Sequence, residues 1–170
     1  METAIVGIIG AFIGILLTNA LRIVLDLRNR RERMRDIQTA LRAEIRSHRK
    51  SLEYFVDEPR WRSTVAQIGS EKGFSPFVPK EVEPFVFDSI LRDIHVLPGN
   101  VIDPVILYYR QWRAISSFVE DMRSAKYAEL EPTRRASMYE DYAAMCIFAT
   151  DLAKDAVDAI NLSLRLDGEA

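Results

Sequence analysis

Nineteen consecutive residues, Thr3 to Leu21, carry no charged side chain, and this run constrains the fold more than any other feature. At about 1.5 Å of rise per residue it extends about 28 Å as a helix, close to the ~30 Å hydrocarbon core of a bilayer. Helices buried in a soluble core are seldom apolar on every face for this length. The run therefore predicts a transmembrane anchor over residues 1–22.

The flanking charges give its orientation. A secretory signal needs basic residues ahead of its apolar stretch, and only Met1 and Glu2 precede this one. The basic residues follow instead: Arg22, Arg28, Arg30, Arg31, Arg33 and Arg35. The positive-inside rule then places the C-terminal side in the cytoplasm of a bacterial inner membrane, with the N-terminus outside. Within the run, Gly7, Gly10, Gly14 and Thr18 put small groups on the helix. The Gly10-x-x-x-Gly14-x-x-x-Thr18 spacing lets a second helix backbone approach closely. A single-span protein has no intramolecular partner in the bilayer, so this face predicts pairing with a second copy or another membrane helix.

Between Gly14 and Pro59 there is neither glycine nor proline, and good helix formers dominate. The anchor is expected to continue as a basic helical arm over residues 23–58. Met34, Ile37, Leu41, Ile45, Leu52 and Phe55 give it a narrow apolar stripe suited to coiled-coil-like packing. Ten basic and four acidic residues fall between positions 22 and 50, a surplus of six, so with an overall charge of −2 the rest of the chain carries −8. Arg28, Arg35, Arg42 and Arg49 recur every seven residues, and Arg31 and Arg46 widen the stripe. Those nearest the membrane suit anionic headgroups at about 1 kcal/mol each. Arg49 lies about 40 Å of helix beyond Arg22, too far for lipid. The outer arginines are therefore expected to meet Asp151, Asp155 and Asp158, a second copy, or a partner protein. An acidic body without a recognised binding motif argues against nucleic acid.

Residues 59–82 contain Pro59, Gly69, Gly73, Pro76 and Pro79 and read as an irregular loop, with Trp61, Phe74 and Phe77 as contact residues. A helical body is expected over 83–165. It comprises a short helix to about His95, a long one from about Val101 to Ser124, and a last one from about Thr133 to Arg165, followed by a tail at 166–170. The middle helix shows Val101, Val105, Tyr108, Tyr109, Trp112, Ile115, Val119 and Met122 at helical spacing. The last shows Met138, Tyr142, Met145, Ala149, Leu152, Ala156, Ile160 and Leu164. The predicted fold is thus all-α: a transmembrane helix continuing into a cytoplasmic three- to four-helix bundle.

No catalytic constellation stands out. The sequence lacks a nucleophile elbow, a phosphate loop, a paired-cysteine motif and His–carboxylate metal spacing. Cys146 is the one cysteine, which suits a reducing compartment. No cofactor is expected. His48 and His95 read as surface or helix-end residues. The aromatics Tyr108, Tyr109, Trp112, Phe118, Tyr139, Tyr142 and Phe148 read as core, with a ligand pocket as the alternative. The segment Ile94-His95-Val96-Leu97-Pro98-Gly99-Asn100-Val101-Ile102-Asp103-Pro104-Val105-Ile106-Leu107-Tyr108-Tyr109 resembles one found in uncharacterised bacterial inner-membrane proteins with a short N-terminal span and a helical cytoplasmic domain. That resemblance implies the same architecture and brings no activity. The expected function is a non-enzymatic membrane tether or scaffold that self-associates or docks a partner. The rivals are a ligand-sensing or enzymatic helical domain and a membrane-active protein of the holin or toxin kind.

Overall fold

The chain is all-α in its computed structural model, and no strand occurs among the described residues. The structure describes the backbone of residues 2–71, 73–80 and 83–166, and within these the side chains from residue 21 onward except at positions 56 and 166. Two compact units are present, Met1–Ile37 and Gln38–Ala170.

The first unit is part of helix α1 (Glu2–Ser51). Its backbone is helical from Glu2, but the side chains of residues 1–20 lie outside the described set. The packing face built on Gly7, Gly10, Gly14 and Thr18 therefore lies outside it too. Among the described residues no helix is long and apolar enough to cross a membrane. Leu21, which closes the uncharged run, and Ile23, Val24, Leu25 and Leu27, which follow it, are all exposed.

The second unit is a helical bundle. It contains the end of α1, then α2 (Glu58–Ser70), α3 (Phe85–Ile90), α4 (Gly99–Met122), α5 (Ala125–Glu129) and α6 (Pro132–Leu166). Helix α6 is the spine. The end of α1 runs antiparallel to its C-terminal half: Gln38 Nε2 donates to Ser163 Oγ (3.1 Å), Arg42 Nη1 to Asn161 Oδ1 (2.9 Å), and Phe55 meets Tyr142 edge-on. Helix α2 continues along the N-terminal half, where Gly69 comes close to Ala136. Helix α4 lies antiparallel to α6, with Gln111 Nε2 donating to the Met145 carbonyl (3.1 Å).

Three expectations change. The arm does not run unbroken to residue 58. Helix α1 ends at Ser51, a 3₁₀ turn covers Glu53–Val56, and Asp57 is extended before α2 begins. The irregular loop at 59–82 contracts, because 58–70 are helical. Pro59 stands in the first turn, where a missing N–H costs nothing, and Gly69 falls at the end. The supposed helix breakers are helix punctuation. Helix α4 starts two residues early, so Pro104 lies beyond the first turn and withdraws one helical bond from the exposed Asn100 carbonyl.

The α4 stripe is buried at all eight expected positions. On α6 the buried line is narrower than expected. It runs through Tyr139, Tyr142, Ala143, Cys146, Ala149, Ala153, Ala156, Val157 and Ile160, with Met138, Met145, Leu152 and Leu164 on its flanks.

Candidate functional site

Within the second unit, the inward face of α1 reads Gln38, Leu41, Ile45 and His48, and Leu52 and Phe55 continue the line past the helix end into the 3₁₀ turn. The spacing alternates by three and four, as in a coiled-coil seam. The sequence reading left a seven-residue gap between Ile45 and Leu52, and His48 fills it. His48 is not a surface residue: it is 7% exposed, and its ring stacks on Trp112 of α4 at 4.1 Å between centroids and 8° between planes. Its Nδ1 lies 3.1 Å from the Tyr108 hydroxyl. Burial pushes the imidazole below its usual range, against the opposing pull of Glu44, so the ring is neutral at neutral pH.

Glu44 sits one turn before His48 and receives three donors. The backbone N–H of Val86 (2.6 Å) reaches Oε1; the N–H of Phe87 (3.1 Å) and the Tyr109 hydroxyl (2.5 Å) reach Oε2. The carboxylate therefore holds the start of α3 in place, satisfying amides a short helix leaves without internal partners. Burial, and then the bond to Glu44, drives the Tyr109 hydroxyl far above the ordinary phenol range. Phe87 stacks on Tyr109 at 3.9 Å and 10°. Two parallel ring pairs thus flank one carboxylate.

A cavity of about 750 Å³ opens beside this cluster, lined by Glu44, His48, Phe55, Phe85, Trp112 and Tyr142 among others. A second cavity, of about 350 Å³, is bounded by Tyr54, Thr64, Phe74, Phe77 and Tyr139 and shares Ser51, Phe55, Pro79 and Tyr142 with the first. Together they form one apolar trough of the size that takes small organic molecules. No family model, curated protein or solved structure matches this chain. Its chemistry must therefore be read from the trough itself. Among the described residues no group of His, Cys, Asp and Glu converges in a way that would hold a metal ion.

The segment between α2 and α3 forms one wall and is strapped to the bundle by charged side chains. Arg135 Nη1 donates to the Phe74 carbonyl (2.8 Å) and Arg123 Nη1 to the Val78 carbonyl (2.7 Å). Gly73, at φ +96°, makes the turn out of α2 in a conformation that L side chains resist. The backbone is held on both sides of Phe77, yet Phe77 is 86% exposed and Phe85 is 82% exposed.

The sequence-predicted residues divide accordingly. Phe77 is a surface aromatic, as expected of a contact residue, and Phe74 is half-buried on the cavity wall. Trp61 is not on the surface: it is 6% exposed within α2, under the Arg62 guanidinium at 4.9 Å. Arg28 pairs with Glu32 on its own helix (2.9 Å), and Arg31 and Arg35 are exposed. The expected pairing of outer arginines with the acidic face of α6 is not present. No ion pair joins Arg42, Arg46 or Arg49 to Asp151, Asp155 or Asp158 among the described residues. Arg42 donates to the neutral Asn161 instead, while Arg46 and Arg49 stay exposed. Of the aromatics read as core, Tyr108, Tyr109, Trp112, Tyr139 and Tyr142 are buried and Phe148 is exposed. Trp112, Tyr139 and Tyr142 are core residues that also line the trough. Glu44 and His48 were missed. The signal that could have found them is the heptad position of His48 and the acid one turn before it.

Proposed function

We propose that the chain is a single-span membrane protein that acts as a non-enzymatic tether, its cytoplasmic helical bundle docking a partner protein or a second copy. The uncharged run at Thr3–Leu21 is the reason for the anchor, and the exposed apolar side chains from Leu21 to Leu27 extend it toward an interface. Arg28, Arg31 and Arg35 suit anionic headgroups there, and Gly7, Gly10, Gly14 and Thr18 suit helix pairing.

The observation that carries the docking reading is the exposure of Phe77 and Phe85 on a segment strapped by Arg123, Arg135 and Glu44. Large aromatics held out by a fixed backbone leave apolar area that a partner covers. The test is photo-crosslinking in cells from position 77 of the full-length protein, beside the same crosslinker at the exposed position 117. A discrete adduct from 77 that is absent from 117 and lost on Phe85→Ser supports docking. Equal, diffuse labelling from both positions refutes it. A Gly10→Leu/Gly14→Leu double variant then tells whether association runs through the anchor.

A second reading, a ligand-sensing domain, is favoured by one specific observation: the trough beside His48. The two readings use different parts of the same segment, since Phe77 and Phe85 stand at its rim while Trp112 and His48 lie inside.

A further inference from the structure

The smaller lobe of the trough, about 350 Å³, has a chemistry that docking does not use. Its walls are rings set close to right angles. Tyr54 meets Phe55 at 5.0 Å and 82°, Phe55 meets Tyr142 at 5.0 Å and 79°, and Tyr142 meets Tyr139 at 5.9 Å and 69°. A hydrogen bond between the Tyr139 and Tyr54 side chains closes the circuit. All four rings line the lobe, and Phe74, Phe77, Pro76 and Pro79 complete its apolar wall. Hydroxyls around it are engaged within the protein: Tyr54 Oη lies 3.1 Å from Thr64 Oγ1, and Ser51 Oγ donates to the His48 carbonyl (2.6 Å). Among the described residues no charged side chain lines this lobe.

Such a surface selects against most polar ligands. An anion finds no cation on the wall. A primary ammonium gives up water for acceptors that are already engaged, which costs free energy. A quaternary ammonium donates no hydrogen bond and so loses none, and its diffuse charge is attracted to the faces of aromatic rings. One ring of the circuit already takes a cation: the Arg60 guanidinium rests over Tyr54, 5.0 Å from the ring centroid. Arg60 does not line the lobe and is exposed, so solvent screens its charge. We infer that the lobe binds a quaternary ammonium group of the trimethylammonium kind, held among the rings of Tyr54, Phe55, Tyr139 and Tyr142. The inference rests on the ligand-sensing reading and names its ligand class.

The test is calorimetric titration of the full-length protein in phosphatidylglycerol nanodiscs, with the heat of empty discs subtracted. Three compounds are compared: choline, its neutral isostere in which carbon replaces nitrogen, and ethanolamine. Choline is expected to saturate the protein at a concentration at least tenfold below either of the others, a preference of about 1.4 kcal/mol. A purely apolar lobe gives the opposite order for the first two, because the isostere is the more hydrophobic compound. Tyr54→Phe keeps the ring and is expected to keep the preference. Tyr54→Leu removes the ring and is expected to weaken choline by about threefold or more while the isostere binds as before. Equal or tighter binding of the isostere overturns the inference and leaves the ligand-sensing reading in place, as does a preference lost in Tyr54→Phe or untouched in Tyr54→Leu. No saturable heat with any compound overturns the inference and removes this lobe from the ligand-sensing reading. Repeating the choline titration in phosphatidylcholine nanodiscs tells the source of the group. A vanished heat means that the lipid headgroup already fills the lobe, and an unchanged one means that the ligand is a soluble trimethylammonium compound.

Discussion

Helix α6 and the α1–α4 face bury comparable lengths of helix with opposite strategies. Between positions 143 and 156 the buried residues of α6 are all small, Ala143, Cys146, Ala149, Ala153 and Ala156, with Tyr142 and Ile160 buried at either end. Small side chains let helices approach closely and leave no room between them. Where α1 meets α4 the buried groups are large and polar-tipped, with Glu44 and His48 facing Tyr108, Tyr109 and Trp112, and a cavity of about 750 Å³ remains. The contrast separates two jobs. The α6 stripe holds the bundle together. The α1–α4 face holds a set of donors and rings in a fixed geometry around empty space.

The largest effect is expected where the two strategies share a residue. Trp112 is buried in the core, stacks on His48 and lines the cavity. Trp112→Ala should cost about 3–5 kcal/mol in denaturant unfolding, the range for a large buried aromatic. A loss under 1 kcal/mol would mean that the cavity side contributes little to the fold, and the comparison would fail.

Adding volume separates the sides more sharply. Ala149→Leu places three extra carbons where nothing can yield and should destabilise by about 1–3 kcal/mol. Ser47→Leu, on the cavity wall, adds similar bulk beside open space and should change stability by no more than about 0.5 kcal/mol. Equal costs would show that the α6 stripe has slack or that the trough does not.

Glu44→Gln is next. The amide can accept at one atom only and turns N–H groups toward donors, so at least one bond among Val86, Phe87 and Tyr109 is lost. A hydrogen bond to a charged group contributes about 1.5–3 kcal/mol, and a loss of about 2 kcal/mol is expected. Amide exchange at Val86 and Phe87 should rise while exchange in the middle of α6 does not. Uniform acceleration would mean that Glu44 supports the whole bundle rather than the start of α3.

His48 gives a pH signature that α6 lacks. Burial lowers its pKa from 6.5, so below that pH the unfolded chain binds a proton that the folded chain resists. Stability should therefore fall as pH drops through about 6.5, at a slope of at most about 1.4 kcal/mol per pH unit, and it is fully retained above that pH. His48→Gln should remove this component of the slope, measured by urea unfolding between pH 5 and pH 7.5. An unchanged slope in the variant would show that His48 is not the group titrating.

The sequence made one of these regions easier to read than the other. The eight α4 positions are apolar or aromatic at helical spacing, and all eight are buried, because burial of such side chains needs no partner of particular chemistry. Gln38 and His48 occupy equally regular heptad positions, but a polar residue there becomes legible only with its partner. Those partners, Ser163 and Tyr108, lie 125 and 60 residues away. Helix α2 was obscured differently. Pro59 and Gly69 read as breakers when counted by type, whereas their positions mark a first turn and a last one, and the seven-residue interval from Trp61 to Ile68 marks the buried face between. The acidic stripe of α6 misled because sequence charge shows sign and not neighbours, and Arg42 takes Asn161 rather than an aspartate.

The smallest expected effect on stability belongs to the rim. Phe77 and Phe85 are almost fully exposed, so replacing both by serine removes little buried apolar area and should shift unfolding free energy by no more than about 0.5 kcal/mol. Self-association or partner binding by the full-length protein should weaken by tenfold or more, since a partner that covers two phenylalanines gains about 1.5–3 kcal/mol from each side chain it buries. Sedimentation of the wild type and the double variant in nanodiscs, beside their urea unfolding curves, reads both quantities on one preparation. A variant that loses stability together with association would show that the two rings are part of the bundle's own packing. A variant that keeps both would show that no partner covers the rim, and the fixed backbone between Arg135 and Glu44 would then serve the cavity behind it rather than a docking surface in front.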